Sequence, residues 1–546
     1  MKRKVIGVML VTSMLCASLF SGCGNQQSVN GSEVAPTKVS EETSKTTETK
    51  QEESSEPKEL NILAGTNAYV ENIETNKFTV WYEEYSGVHV NWEISEDPAQ
   101  AFSLKVVGED LPDIYYGQGV NRAMRDLYGA DGVLIDLTEL IEEHAPNIKK
   151  MFDENPTWKS ACTSSDGAIY GVPYLNYSNL NEYQQIIWVY EPWLEALNVT
   201  PESIKTTDDL YELFKLVAET DLNGNGKKDE IPFASRGMKN SYGLLGLMNN
   251  FIDKGYNWMN LKNDEAIFVP VTEEWREGLR WIHKLYEEGL ILADSISLDR
   301  TTITSLGESE TPVLFASIGL WAPYFTTNGS DRSTEFVAIP PVMSPSGHLA
   351  AQKNGSVSGS TVMHITSACE DPVTAIKWLD GLWDEEPASK ASIGSLVPAQ
   401  DGQVAINGEK ALYMSPLSAT EAEPNSNWGT FYMGIKDPEQ DLYTYYESPN
   451  AHAVAVNRWD ALELYQPYGV DLSEVSMNMI ILDDAESAEY SDILAAINTY
   501  MQSSAASFIT GEMSLDTDWD GYVKTIEDYG LARLLELAEK GAVIFD

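Results

Sequence analysis

The sequence comprises 546 residues, more than one hydrophobic core usually serves, so we expect two or more lobes. Acidic residues outnumber basic ones by 84 to 36, for a formal charge of −48, which argues against binding to nucleic acid or to anionic membrane surfaces. The composition favours a soluble, extracytoplasmic protein that meets neutral or cationic ligands.

The N-terminus has the pattern of a secretory signal. Three basic residues near the start precede an apolar stretch at residues 5–20, which is too short for a stable membrane span. Residues 19–23 (LFSGC) resemble a bacterial lipobox, which predicts a signal peptide at 1–22 and lipidation of Cys23. The alternative is an ordinary secretory peptide with a cysteine there by chance.

Residues 23–58 are predicted to be a disordered tether. From residue 26 onward the segment is mostly Ser, Thr, Glu, Lys and Gln, which bury too little apolar surface to become ordered. A flexible segment of this length spans roughly 30 Å, enough to hold a domain away from a membrane.

The ordered part is predicted to begin with alternating strands and helices. Strands are predicted at 60–64, 88–92 and 111–116, and helices at 78–85 and about 99–107. A glycine that follows each helix is predicted to end it. This alternation predicts a parallel sheet that binds ligands at the carboxyl ends of its strands.

Residues 221–232 (DLNGNGKKDEIP) have the spacing of an EF-hand calcium loop. Oxygen donors occupy loop positions 1, 3, 5 and 9, and the glycine at position 6 permits the sharp turn. Position 12, normally a bidentate Glu, is Pro232, and a carboxylate stands instead at position 10, Glu230. The alternative is a polar Asn-Gly turn that binds no ion.

Several segments, in order along the chain, resemble signatures of the family-one extracellular solute-binding proteins of ABC importers. They are 108–114 (GEDLPDI), 132–141 (GVLIDLTELI), 166–173 (DGAIYGVP), 285–291 (LYEEGLI), 365–369 (ITSAC) and 508–511 (FITG). Each is weak alone, but together they are collinear across roughly residues 60–540. The resemblance implies an α/β, periplasmic-binding-protein-like fold of two lobes, each a mostly parallel sheet flanked by helices, with a hinge and a central cleft.

The resemblance is strongest to the large members that bind alginate and other oligosaccharides, and it also implies bound Ca²⁺. These members carry a similar loop after a helix and bind calcium without a Glu at position 12. The ligands implied in this sequence are Asp221, Asn223, Asn225, the Lys227 carbonyl, Asp229 and Glu230. A helix predicted at 207–220 precedes the loop, so the ion is expected to be structural and to lie away from the sugar.

The family fold further implies that the chain crosses between the lobes more than once. Lobe 1 is expected to comprise 59–174 and about 345–410, and lobe 2 to comprise 175–344 and about 411–546. The protein is expected to be a monomer, held at the extracytoplasmic face of the cell membrane through its lipid anchor alone. Its expected partners are a carbohydrate and the ABC permease subunits.

A cleft that binds carbohydrate needs aromatic faces to stack on sugar rings and planar polar groups to bind hydroxyls. Most of the 14 Trp and 27 Tyr are expected to be core residues, including Trp81, Trp275, Trp281 and Trp378 on predicted helices. Better candidates lie in irregular segments after strands or at crossings. They are Tyr69, Tyr116, Gln118, Tyr174, Asn176, Trp258, Trp321, Tyr324 and Trp428.

The sequence offers little support for catalysis. Its six histidines show no metal-ligand spacing, and no zinc-protease motif, nucleophile elbow or phosphate loop is present. We therefore predict a substrate-binding subunit of an ABC importer, which binds a carbohydrate and makes or breaks no bond.

Several alternatives stay open at this point. One is a glycan-active lipoprotein enzyme, since 84 acids provide many chance carboxylate pairs. A calcium-dependent scaffold of the dockerin type would ordinarily carry two such loops, and only one is found. A peptide-binding role within the same fold is a further alternative. Whether Cys162 and Cys369 form a disulfide is left open by the sequence.

Overall fold

A computed structural model describes residues 58–67, 70–173, 178–239, 242–255, 257–262, 265–353, 361–393, 397–415, 425–431, 440–470, 479–480, 482 and 484–543. The predicted signal peptide, the tether up to residue 57 and Cys23 lie outside these residues. None of the helices in the described part of the chain combines the length and the apolarity that a membrane span requires.

The strands are β1 Lys58–Gly65, β2 Val88–Ser95, β3 Ile114–Val120, β4 Val172–Pro173, β5 Ile186–Tyr190, β6 Ile231–Phe233, β7 Met259–Lys262, β8 Glu265–Phe268, β9 Leu314–Gly319, β10 Phe336–Ala338, β11 Ala351–Gln352, β12 Thr361–Ile365, β13 Val397–Pro398, β14 Tyr413–Ser415, β15 Thr444–Tyr446, β16 Gly469–Val470, β17 Met479–Ile480 and β18 Ala542–Val543. The helices are α1 Lys77–Ser86, α2 Pro98–Gly108, α3 Arg122–Ala130, α4 Thr138–His144, α5 Pro146–Glu154, α6 Pro156–Cys162, α7 Glu191–Leu197, α8 Thr207–Glu219, α9 Glu273–Glu287, α10 Arg300–Gly307, α11 Asp331–Thr334, α12 Pro372–Gly381, α13 Glu385–Ile393, α14 Pro449–Tyr465, α15 Asp484–Thr510, α16 Trp519–Asp528 and α17 Leu531–Gly541.

Lobe 1 is built on a five-stranded sheet with the strand order β2-β1-β3-β12-β4. Strand β1 runs parallel to β2 and β3, whereas β12 is antiparallel to β3 and β4. Side chains of β1 alternate between two cores, because Leu60, Ile62 and Ala64 pack on one face and Leu63 on the other. The sheet is therefore buried on both faces.

Lobe 2 is built on a four-stranded sheet with the order β10-β5-β9-β6. Strand β6 is parallel to β9, but β5 is antiparallel to both β9 and β10. Strands β6, β9 and β10 therefore run in one direction and β5 runs against them, so the sheet of lobe 2, like that of lobe 1, is mostly parallel with one reversed strand. Helical and strand periodicity do not report strand direction, which here depends on the side from which the chain enters the lobe.

Local sequence signals place most helix ends. The side chain of Asn76 caps α1 by accepting a hydrogen bond from the N–H of Phe78 at 3.0 Å, and Gly87 ends α1 with a left-handed φ of 68°. At α2 the predicted stop is off by one residue, since Gly108 is still helical and Glu109 takes the left-handed conformation. The helices thus begin and end within a residue or two of prediction.

The tryptophans predicted to be scaffold lie in the core or beside it. Trp275, Trp281 and Trp378 are buried, and Trp81 is half-buried and stacks on Tyr85. Cys162 and Cys369 are both free thiols, so they do not form a disulfide in this structure.

We propose the two-lobe division with boundaries close to those predicted from the sequence, with two local corrections. Trp428 and Phe431 were assigned to lobe 2, but they pack in the lobe 1 core against Phe78 and Trp92. Ala351 was assigned to lobe 1, but it packs in the core of lobe 2. The chain therefore crosses between lobes more often than blocks of sequence suggest.

Candidate functional site

The crossings identify which edge of each sheet lies at the junction of the lobes. In lobe 1, Thr361 at the start of β12 pairs with Pro173 at the end of β4 and with Val120 at the end of β3. In lobe 2, Ile186 at the start of β5 pairs with Gly319 at the end of β9. The chain passes between lobes at these edges, so residues that follow β1, β3, β6 and β9 lie at the junction.

Two adjoining cavities lie at this edge of lobe 1. One has a volume of about 490 Å³, and the other, of about 330 Å³, lies beside Trp92. Polar and aromatic groups line them, including Thr66, Asn67, Glu71, Glu96, Gln118 and Phe431. Gly119 has a φ of 105°, and a Cβ there would meet that of Ala99 at 2.6 Å, so this wall requires glycine. The cavities offer carboxylate and amide groups to the hydroxyls of a ligand.

An aromatic and cationic cluster lies at the matching edge of lobe 2. Trp321 follows β9 directly, Tyr324 ends the next 3₁₀ turn, and both side chains are half-buried. The guanidinium of Arg458 lies 5.2 Å from the ring centroid of Trp321. Arg236, which follows β6, lies 4.4 Å from the ring centroid of Tyr242. Half-exposed aromatic rings of this kind can stack on sugar rings.

Arg458 connects this cluster to the segment that follows the first crossing. Its Nε donates to the carbonyl oxygen of Leu180 at 3.1 Å, and its Nη2 donates to the side chain of Asn181. Burial lowers the pKa of Arg458, and the nearby Asp441 carboxylate opposes that effect. Asp441 is itself buried and accepts a hydrogen bond from the Ser178 hydroxyl at 2.7 Å. These contacts hold the guanidinium of Arg458 in place against the indole of Trp321.

The structure separates the nine predicted ligand residues into three groups. Tyr69, Tyr174 and Asn176 lie outside the described residues. Gln118, Trp321 and Tyr324 lie at the cleft edges and stay predictions. Tyr116, Trp258 and Trp428 are buried.

The buried residues have structural contacts of their own. Trp428 is fully buried, and its Nε1 donates to the Thr79 hydroxyl at 2.8 Å. Trp258 packs edge-on against Trp275 with ring centroids 5.4 Å apart. The prediction that these two tryptophans contact a ligand is therefore wrong for this structure, because their Asn- and Gly-rich loops fold the rings inward. Tyr116 forms part of a cavity wall, although its side chain is covered.

Sequence reasoning missed Phe431 and the two arginines of the lobe 2 cluster, Arg236 and Arg458. Arg236 follows a strand of only three residues, and Arg458 lies inside the 17-residue helix α14. Neither position carries a local signal, because a short strand has no clear periodicity and a helical arginine is ordinarily a surface residue.

The predicted calcium loop links α8 to β6. The carboxylate of Asp221 accepts hydrogen bonds from the N–H groups of Asn225 and Gly226, at 3.1 and 2.9 Å. Gly224 and Gly226 have φ values of 71° and 81°, which side-chain-bearing residues rarely adopt. The two glycines therefore allow the chain to wrap around the oxygen atoms of the loop.

Glu230 closes the loop from a buried position. Its Oε1 accepts from the N–H groups of Leu222 and Asn223 at 2.7 and 2.9 Å, while its buried Oε2 has no hydrogen-bond partner in the described structure. Hydrogen bonds from the side chains of Asn225 and Asn223 hold the pKa of Asp229 below its ordinary value.

No three His, Cys, Asp or Glu side chains in the described residues are already gathered around a common point, so a complete ion site would also need amide and carbonyl oxygens. A buried carboxylate oxygen without a partner, next to a charged carboxylate, fits a hard cation.

The loop lies at the edge of the lobe 2 sheet opposite to the cleft. Ile231 pairs with Leu314 at the start of β9, whereas Trp321 follows the end of that strand. The six residues of β9 span about 20 Å. The Asn223 side chain also donates to the Pro312 carbonyl at 3.1 Å. The loop therefore joins α8 to the amino ends of β6 and β9, away from the aromatic cluster.

Comparison with known proteins finds relatives with similar sequences, although no family model matches the chain. The fructooligosaccharide ABC transporter substrate-binding protein FusA of Streptococcus pneumoniae serotype 4 is 25% identical over 479 residues, which are 84% of this chain and 85% of FusA. The polygalacturonan/rhamnogalacturonan-binding protein YtcQ of Bacillus subtilis is 24% identical over 256 residues, which are 46% of this chain and 48% of YtcQ.

Solved structures share the fold over most of the chain. FusA in complex with kestose has a TM-score of 0.69 and 23% identity, and it covers 88% of this chain and 98% of its own. An extracellular solute-binding protein from Bifidobacterium longum subsp. infantis has a TM-score of 0.72, 19% identity and coverages of 88% and 97%. The alginate-binding protein AlgQ2, without calcium ion, has a TM-score of 0.62, 19% identity and coverages of 89% and 98%.

The chain shares the fold of substrate-binding proteins of ABC transporters. Over most of its length the chain is similar in sequence to the ABC transporter substrate-binding protein FusA, in agreement with the resemblance that its sequence motifs carry. Its sequence relatives FusA and YtcQ are binding proteins, which favours a binding function over an enzymatic one. The alternative of a glycan-active enzyme is therefore set aside.

Proposed function

We propose that this chain is the lipid-anchored substrate-binding subunit of an ABC importer for an oligosaccharide. The observation that carries the proposal is Trp321, which is half-buried at the cleft edge and backed by the half-buried Arg458. The described ligands of FusA, YtcQ and AlgQ2 support an oligosaccharide as the class of ligand.

The two lobe edges have complementary roles in this proposal. Trp321 and Tyr324 of lobe 2 stack on sugar rings, and Asn67, Glu96 and Gln118 of lobe 1 bind sugar hydroxyls. Movement of the lobes about their crossings encloses the sugar, and the closed form is the one that docks on the permease. No covalent bond changes, so affinity comes from stacking and hydrogen bonds, offset by the cost of closure.

The proposal includes a structural calcium ion in the loop at 221–230. The carboxylates of Asp221, Asp229 and Glu230 would hold it, together with the side-chain oxygens of Asn223 and Asn225 and the Lys227 carbonyl. Solved relatives include an EF-hand mutant of FusA, which supports a calcium loop in this class. The ion would supply the positive charge that balances these carboxylates.

Replacement of Trp321 tests the proposed cleft. We expect Trp321→Ala to weaken binding of an oligosaccharide such as kestose, nystose or an oligogalacturonate by about tenfold or more, because the stacking face is lost. Isothermal titration calorimetry against this panel measures the change.

Trp81→Ala is the matched control, because Trp81 is a half-buried tryptophan on α1 that stacks on Tyr85. Equal affinities of the wild type and Trp321→Ala for every sugar that binds would reject the proposed stacking site. No binding by the wild type to any sugar of the panel would reject the oligosaccharide class.

A further inference from the structure

Arg236 lies against two neighbouring tyrosine rings at the cleft edge of lobe 2. Its guanidinium carbon lies 4.4 Å from the ring centroid of Tyr242 and 5.9 Å from that of Tyr324, and the two rings are 5.5 Å apart. Its backbone N–H donates to the carbonyl oxygen of Tyr242 at 3.2 Å, which closes the loop that carries both residues. The tyrosines therefore fix the orientation of the guanidinium.

This guanidinium has no acidic partner within the part of the chain that the structure describes, and its buried Nε makes no hydrogen bond there. Other arginines of lobe 2 do have such partners: Arg332 lies 2.9 Å from Glu335, and Arg280 lies 2.7 Å from Asp516. Asp299 is within electrostatic range, but its carboxylate accepts the N–H of Thr302 at 2.7 Å and caps α10.

An unpaired arginine is unusual in a chain with 84 acidic and 36 basic residues. Guanidinium groups only donate hydrogen bonds, whereas a sugar hydroxyl both donates and accepts. A carboxylate only accepts, and its two oxygens match the planar fork of donors at the edge of a guanidinium whose face packs on aromatic rings. The ligand group that best complements Arg236 is therefore a carboxylate.

We propose that Arg236 is a specificity-determining residue that binds the carboxylate of an acidic, hexuronate-containing oligosaccharide. This inference rests on the proposed function, which it narrows from oligosaccharides in general to acidic ones. In the closed cleft the carboxylate lies against lobe 2, and the neighbouring ring stacks on Trp321. The carboxylates at the lobe 1 edge, Glu71 and Glu96, then meet only the hydroxyls of the sugar.

The test compares two ligands with the same sugar backbone, one charged and one neutral: trigalacturonate and its fully methyl-esterified form. We expect the wild type to prefer trigalacturonate by about tenfold or more, and Arg236→Gln to lose that preference. Arg280→Gln is the matched control, because it removes the same charge from an exposed arginine and should keep the preference. Loss of folded protein would reduce the measured binding of both ligands equally. The ratio of the two affinities therefore reports the role of Arg236 alone.

Two outcomes would overturn the inference while leaving the proposed function intact. One is a wild type that binds the ester, or kestose, at least as tightly as trigalacturonate. The other is an Arg236→Gln variant that keeps the preference for the acid. A wild type that binds no oligosaccharide of the set would overturn the proposed function together with this inference.

Discussion

Trp321 and Arg458 meet at the cleft although more than a hundred residues of sequence separate them. The indole follows β9, while the guanidinium comes from α14 and is anchored to the Leu180 carbonyl. At the scale of single residues, position after a strand was enough to predict Trp321. It was not enough to exclude Trp258 or Trp428, since nothing local shows that a loop folds its aromatic ring inward.

The buried carboxyl of Asp380 gives a prediction at this scale. Burial raises its pKa from 3.8 to about 6, although it accepts hydrogen bonds from the Ile148 N–H and the Asn147 side chain. A carboxyl whose folded pKa is raised stabilises the fold below the unfolded value and loses that contribution as the pH rises through the folded value. In the wild type this carboxyl should decrease the free energy of unfolding as the pH rises from about 4 to about 6. We expect Asp380→Asn to remove that decrease.

Urea unfolding at several pH values measures this difference, with the exposed Asp131→Asn as control. Burial lowers the pKa of His364 to about 4, so this residue makes the protein more stable as the pH rises. Because His364 is present in both proteins, its contribution cancels when their stabilities are compared. An Asp380→Asn variant whose stability changes with pH as steeply as that of the wild type would contradict the assignment.

At the scale of elements, the loop at 221–230 is a unit whose shape is set by its own sequence. The capping box of Thr206 and Asp209 starts α8, two glycines turn the loop, and Glu230 ends it next to β6. The alternation of strands and helices in lobe 1 was likewise local enough to predict. The mixed direction of the lobe 2 strands was not, because partner strands are chosen by the packing of the whole lobe.

Removal of calcium tests the loop. We expect a chelator to lower the melting temperature by several degrees, because an ion that binds only the folded state stabilises it by mass action. Sugar affinity measured well below that temperature should change little, since the loop lies at the opposite edge from Trp321. Differential scanning calorimetry and titration calorimetry give the two readings.

Glu230→Gln should abolish the effect of the chelator, and the exposed Glu202→Gln should preserve it. A chelator that removes sugar binding while leaving the melting temperature unchanged would show that the ion lies in the cleft instead.

At the scale of the whole molecule, the cleft exists because the chain crosses repeatedly between two cores. Trp428 and Phe431 return to lobe 1 after β14, and β15 and α14 then follow in sequence. The described strands β4 and β12 meet the crossings at the edge of the lobe 1 sheet where the candidate ligand residues lie. In the proposed function the lobes would move about these crossings, so movement of the lobes and enclosure of a ligand would be coupled.

Anchoring at the membrane is a prediction for the whole molecule. We expect Cys23→Ser to release the protein from the membrane fraction into the medium while its affinity for oligosaccharide stays the same, because the lipid would be its only attachment. Fractionation of bacteria that express each form, followed by immunoblotting, measures the distribution. Retention of the variant in the membrane fraction would contradict a lipid anchor at this residue.

The sequence by itself determined the resemblance to solute-binding proteins, the α/β fold class, the helix ends and the calcium-loop pattern, because each depends on the order and spacing of nearby residues. Only the tertiary structure decided which aromatic rings remain at the cleft, which strands run antiparallel, and that Arg236 and Arg458 lie among those rings. These features depend on contacts between segments far apart in the chain. Their energies come from burial and charge pairing, which short-range patterns do not encode.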